Sequence, residues 1–387
     1  MSYKSNNFYR NILLLSFFFS GFSLYTVFIP LLFLTILLSL HKNKALYFGR
    51  LAASANILFI ILFILFVFFI GEDRLLLEKP FKYAAYIIFM IFCLTLLLLN
   101  NIEYAQKAIL FFIFGIFLRA EIIVIYSFLD PSGVYGYGKL LDPFNHEEIN
   151  SPGISNSLAM VFVFLLVVFE PKTLARKIFL ILAYPLLLLS SIFLGGRAFF
   201  IIAILGLVYQ YKNNTNIKAI IFLLFSALGF LVLFFIMFKD APVFEKYFNL
   251  IFERFGSEGL KSARFELIQD GISKFFMYPF GGFTPYASEY SGSWYHNIYL
   301  DSARVAGFLP LIMFLISNII LFSCYFKCKK RNHKNKYFFL SVITLIIMCQ
   351  DVILEGNMML LICYALFTTM QLQTGGRSKN EIILQSK

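Results

Sequence analysis

Apolar runs of about 15 to 25 residues alternate with polar gaps from one end of this chain to the other. Taken in order, the gaps delimit spans near 51–70, 83–100, 108–129, 154–169, 178–194, 198–211, 219–238, 305–326, 337–352 and 357–373, preceded by an apolar run over 11–40. In hydrocarbon no water is available to backbone N–H and C=O groups, so each run must satisfy its own, which a helix does. Membrane β-strands are about 10 residues long with alternating polarity, and these uninterrupted runs exclude them. The fold class expected is all-α, a polytopic transmembrane helix bundle.

Charge then orients the bundle. Lys and Arg crowd into the gaps at 41–50, "PKTLARK" (171–177), "YKNNTNIK" (211–218) and "KCKKRNHKNK" (327–336), which the positive-inside rule assigns to the cytoplasm. The basic start "MSYKSNNFYR" also belongs inside, so the 11–40 run should cross twice with a turn near Gly21–Ser23. That makes about 12 spans with both termini cytoplasmic; one long tilted helix over 11–40 would instead leave eleven spans and the N-terminus outside. No small-residue cleavage site follows the first apolar stretch, which reads as a retained span rather than a signal peptide. Three parts result: an N-terminal transmembrane bundle (1–238), a large outer loop domain (239–304), and C-terminal transmembrane helices with a cytoplasmic tail (305–387).

Composition agrees. The 387 residues are 60% hydrophobic with 51 Phe and only 14% charged, against about a quarter charged in soluble domains. The net charge of +12 is thus an orientation signal, and no nucleic-acid partner is expected. Of the five cysteines, three sit in apolar runs. Cys324 and Cys328 share a helix face beside the basic segment, with no His or Asp near them to suggest a metal. No disulfide framework is expected.

Function should reside in the outer segments, since loops on a rigid scaffold collect binding and catalytic groups. One is 130–153, rich in Gly, Pro and acids; the other is 239–304. Within the latter, 243–256 and 262–276 have helical periodicity, with Phe265, Ile268, Ile272 and Phe275 or Phe276 forming a stripe. Both read as amphipathic helices on the outer surface, burying that stripe in headgroups or against the bundle. The aperiodic "YPFGGFTPYASEYSGSWYHN" (278–297) reads as a loop. Its aromatics suit the interfacial belt and also stacking on sugar rings.

Three charges in or beside apolar runs stand out. Arg197 is the only charge in "SSIFLGGRAFFIIAILG" (190–206), where two spans meet; it either snorkels to the interface or offers an anion site. Arg119 and Glu121, mid-span, lie two residues apart on different sides of one helix, so each needs its own partner in the bundle or an aqueous cavity. With Arg264, Arg304 and His296 in the outer loop, the outer face presents arginines and one imidazole. There is no D-x-D and no G-x-x-x-x-G-K-[ST]. A lipid-linked sugar diphosphate already carries a good leaving group. What its transfer needs is cationic stabilisation of the departing charge and a base for the incoming hydroxyl, which arginine and histidine supply.

The ordered set "GGRAFF", "ARFELIQDGISKFFMYPFGGFTPY" and "HNIYLDSARVAGFLP", over roughly residues 185 to 325, resembles the O-antigen ligase and polymerase superfamily of polytopic membrane glycosyltransferases. It departs in reading "YPFGGF" for P-x-G-x-G and in having Pro310 where a second glycine often follows. The resemblance implies a GT-C-like bundle with a partly helical periplasmic loop, in a bacterial inner membrane. It implies an undecaprenyl-diphosphate-linked oligosaccharide donor, with Arg197 and Arg264 on the diphosphate and His296 as base or orienting group. Asn297 would fix the turn. Apart from the resemblance, the residues themselves add Arg304, Arg119 and Trp294 as further candidate substrate contacts. Neither metal nor cofactor is expected; the lipid bilayer and a chain-length regulator protein are the expected partners. Phe, Leu and Ile content without a long tail favours a polymerase, which extends the glycan on a lipid-linked repeat unit. The alternatives are a ligase transferring the glycan to lipid A–core and, in a different class, a flippase for the same lipid-linked sugars.

Overall fold

The computed structural model describes residues 3–23, 55–69, 102–169, 173–212, 263–288, 292–327 and 332–384, apart from Pro131, Gly133 and Tyr137, together with a few single positions elsewhere. The spans expected near 83–100 and 219–238, the helix over 243–256 and the second half of the 11–40 run lie outside the described residues. The elements are α1 (Tyr3–Gly21), α2 (Ala55–Phe69), α3 (Ile102–Phe128), β1 (Lys139–Leu141), β2 (Glu148–Asn150), α4 (Ser151–Val168), α5 (Leu174–Phe193), α6 (Arg197–Lys212), α7 (Ala263–Met277), α8 (Ile298–Ala306), α9 (Phe308–Lys327), α10 (Asn332–Met348) and α11 (Met358–Leu384). The protein is mostly helical. Among the described residues, three helices are long and apolar enough to cross a membrane: Ala105–Phe128, Ser151–Val168 and Leu174–Phe193. Shorter apolar segments occupy α1, α2, α9, α10 and α11.

Residues divide into two units, one comprising 1–115 and 263–387, the other 116–262. In the first, α2 packs against α9, and α10 against α11. Phe63 stacks on Phe314 at 4.8 Å between ring centroids. Asn318 of α9 is buried; its amide donates to the Tyr299 hydroxyl at 3.1 Å and its carbonyl accepts from the Tyr364 hydroxyl. One polar side chain thus ties α8, α9 and α11 together where apolar surface alone gives little direction. The α1 helix stops at Gly21, followed by a turn at Phe22–Ser23, where the charge parity places a turn. Gly115 of α3 lets this end approach: a Cβ there would lie 2.1 Å from the Phe18 carbonyl oxygen.

In the second unit, α4 pairs with α6 through small residues. A Cβ at Gly196 would meet the Ser155 hydroxyl at 1.7 Å, and one at Gly206 would press on Val163 and Leu166 at 3.2 Å. The departure from all-α is the 130–153 segment, which closes into an antiparallel hairpin pairing Leu140 with Ile149. Leu140 is fully buried, so the hairpin is held down by its own apolar residue.

The span expected near 305–326 is the apolar helix α9, Phe308–Lys327. Gly307, at φ 77°, separates it from the short α8.

Candidate functional site

His296 sits on a turn built by its neighbours. Asn297 is the N-cap of α8, its Oδ1 accepting from the amides of Tyr299 (3.0 Å) and Leu300 (3.4 Å), which satisfies donors the helix leaves open. Asp301, in the first turn and wholly buried, reaches back. Its Oδ1 accepts from the Tyr295 amide at 2.6 Å and its Oδ2 from the Asn297 amide at 3.1 Å. One carboxylate therefore grips the backbone on both sides of His296, which adopts φ 54°. A histidine in the left-handed region is uncommon, and such strain persists only where the surroundings impose it. The negative charge also lies favourably at the positive end of α8.

The turn rests on α7. Tyr295, Leu267, Phe283, Ala287 and Ala303 form a buried cluster, with Phe275, Leu300 and Leu311 packed on it. Gly271 admits the Tyr295 ring: a Cβ there would be 3.0 Å from its edge and 2.9 Å from Leu300. The Tyr295 hydroxyl donates to Asp270 at 2.9 Å, and Lys274 bridges the same carboxylate to the Thr284 carbonyl. Burial and the Asp270 carboxylate push the Tyr295 hydroxyl well above the usual tyrosine range, so it remains a donor.

Arg264, in the first turn of α7, lies near enough that its charge acts on His296. Burial, and then this cation, hold the imidazole at about 4, below its ordinary 6.5. At neutral pH the ring is therefore uncharged.

The glycines of "YPFGGF" brace the far end of α8. Gly281 and Gly282 both have positive φ, 87° and 81°. The Gly282 amide donates to the Arg304 carbonyl at 2.7 Å and the Phe308 amide to the Pro279 carbonyl at 2.9 Å. At Gly307 a Cβ would be 2.1 Å from that same Pro279 oxygen. Two consecutive glycines thus do here the close-approach work that a glycine motif after proline suggests.

Trp294 is buried. The Arg304 guanidinium lies 4.2 Å over its ring, and its Nε1 donates to Glu355 in the turn between α10 and α11. With one face covered and its N–H engaged, Trp294 pins two loops together. Replacing it with Phe should keep the ring under Arg304 and lose the bond to an exposed carboxylate, costing about 1 kcal/mol. Thermal melting of the purified protein should show a drop of a few degrees, and an unchanged midpoint would refute the pin.

Arg197 and Arg119 belong to the second unit, and the structure describes each there. Arg197 opens α6 directly after the Gly195–Gly196 turn, with Gly195 at φ 61°. It is a half-buried cation at the positive end of a helix whose first turn has no acid. Helix stability alone does not favour a cation there. Arg119 pairs with Asp142 at 2.5 Å. Asp142 is buried and also accepts from the Phe144 amide and the Asn145 side chain. The arginine therefore docks the 130–153 hairpin on α3. Glu121 takes a separate partner, the Ser190 hydroxyl at 2.5 Å.

Arg264, His296, Asn297, Trp294 and Arg304 are thus gathered around α7 and α8. Sequence reasoning missed Asp301 and Glu355. An acid four residues after an N-cap asparagine was a readable signal for Asp301; nothing in the sequence ties Glu355 to Trp294. Among the described residues, no three His, Cys, Asp or Glu side chains converge as metal ligands. No family model, curated protein or solved structure matches this chain.

Proposed function

We propose that this protein is a glycosyltransferase of the O-antigen polymerase type, acting at the periplasmic face of a bacterial inner membrane on undecaprenyl-diphosphate-linked glycans. The observation that carries this reading is the turn that holds His296, clamped on both sides by Asp301 and within reach of the Arg264 charge. The acceptor hydroxyl of a lipid-linked repeat unit attacks the donor's anomeric carbon, and a new C–O bond forms on the side opposite the diphosphate. The bond from anomeric carbon to phosphate oxygen breaks, the diphosphate leaves with the electron pair, and the hydroxyl proton passes to His296. Arg264 neutralises the departing charge; Arg197, carried by the resemblance, is the second diphosphate contact. Bound diphosphate offsets the Arg264 charge that suppresses His296, so donor binding itself raises the basicity of the imidazole. About 12 spans with both termini cytoplasmic complete the proposed topology. Reversed sidedness in cysteine labelling of the 239–304 loop would overturn it.

The direct test is deletion in the source organism, followed by lipopolysaccharide gels and complementation with Arg197→Ala, Arg264→Ala and His296→Ala. A polymerase deletion leaves core bearing one repeat unit; loss of a ligase leaves bare core. Normal ladders from all three variants would refute the site.

The arginine–imidazole coupling has its own signature. In Arg264→Gln the second cause holding His296 down is gone, so its pKa rises above about 4, while burial, the larger cause, still keeps it below 6.5. The imidazole then begins to lose its neutral form at higher pH. The acid limb of the kcat/KM profile of purified enzyme should move to higher pH, with the maximum lowered. An acid limb that stays in place would show that Arg264 does not act on the imidazole.

A further inference from the structure

The stripe Phe265, Ile268, Ile272 and Phe276 on α7 faces outward, while the opposite face, with Leu267 and Gly271, packs on Tyr295 and Leu300. Beyond its end the apolar surface continues: Met277 is 72% and Phe280 90% exposed. Polar Glu266, Gln269 and Ser273 form the next exposed edge of the helix. Going around α7 one therefore meets a protein-packed face, an apolar stripe and a water-suited edge, the cross-section of a helix lying in a membrane interface.

What covers the stripe follows from its continuity with α9. Phe275 meets Phe308, the first residue of α9, ring to ring at 4.4 Å, and Leu311 packs on the cluster beneath α7. From there Leu309, Ile312, Leu315, Ile319, Phe322 and Phe326 run down α9 at steps of three and four, all exposed. Such a stripe, on an apolar helix packed on α2 by its other side, is suited to face lipid. The exposed apolar residues of α7 and the Pro279–Phe280 corner begin where that surface reaches the end of α9.

We infer that α7 and the Phe280 corner are an interfacial anchor, seated in the headgroup and upper acyl region of the same leaflet that surrounds the start of α9. Arg264 lies one residue before the stripe, so the anchor sets the depth of Arg264 and of the turn packed against α7 at the level of lipid phosphates. This stands independently of the glycosyl-transfer reading, since it concerns where the helix lies and not what the site does.

The test is nitroxide labelling at Phe276→Cys, Phe280→Cys and Ser273→Cys in a background with the native cysteines replaced, reconstituted in phosphatidylcholine nanodiscs. Positions 276 and 280 should be several-fold more accessible to oxygen than to a water-soluble nickel chelate, with 273 reversed. Equal chelate access at all three, or exclusion of both reagents at 276 and 280, would overturn the anchor; the latter would place a protein partner there. Should the cysteine-free background fail to fold, a photoreactive benzoylphenylalanine at 280 in the native chain gives the same answer. Lipid adducts support the anchor, and their absence alongside protein adducts overturns it.

Discussion

Replacing His296 with Asn should leave a folded protein that does not polymerise. The imidazole is the proposed proton acceptor, and removing a general base costs about two to four orders of magnitude in rate. On a gel such a loss is indistinguishable from deletion: core with a single repeat unit and no ladder. Asparagine is chosen because residue 296 has φ 54°, a conformation asparagine tolerates better than most side chains. Alanine at the same position adds backbone strain of about 1 kcal/mol, so comparing the two separates chemistry from folding. Equal amounts of Asn variant and parent in membranes, with transfer lost only in the variant, is the expected result. A normal ladder from the Asn variant would remove His296 from the mechanism.

The same site shows what a sequence can and cannot convey. Helix positions follow from local hydrophobic pattern, and α3 to α6 lie within a few residues of the expected spans. The turn after α1 was legible from charge parity. The span near 305–326 was legible as well, since α9 runs Phe308–Lys327; the need for a glycine at 307 was not, because only the close approach of the Pro279 carbonyl shows it. The 130–153 hairpin was hidden by its polar composition, and with it the partner of Arg119. That arginine is a costly charge in a span, and the expectation that it needed a partner was physical. Which acid would fold back 23 residues later was not readable. Trp294 illustrates the converse. An aromatic beside a histidine in a loop suggests sugar stacking, yet Arg304 covers one face and Glu355, 61 residues away, holds its N–H. Local motifs named the residues worth attention, and the long-range contacts show what each of them packs against.

Asp301 should rank beside His296 although it touches no substrate in the proposed reaction. Its two oxygens accept from the amides flanking His296, and it is wholly buried. Removing it in Asp301→Ala leaves two backbone donors without their acceptor, at a cost of about 3–6 kcal/mol for two charge-assisted bonds. That is a large fraction of the stability of a marginally stable chain, so this variant should melt far lower and accumulate poorly. Asp301→Asn is the more informative change, since its carbonyl oxygen can still accept one of the two bonds. The turn should then form, but with His296 less firmly held. As a positioning residue, Asp301 should affect kcat and leave the donor's KM near the parent value, because Arg264 still meets the diphosphate. The acid limb of the pH profile should also stay in place, since burial and Arg264 set the His296 pKa. Steady-state kinetics of the purified Asn variant decide the matter. A proportional rise in KM with kcat unchanged would assign Asp301 to substrate binding, and unchanged values of both would show that the clamp on His296 has no catalytic consequence.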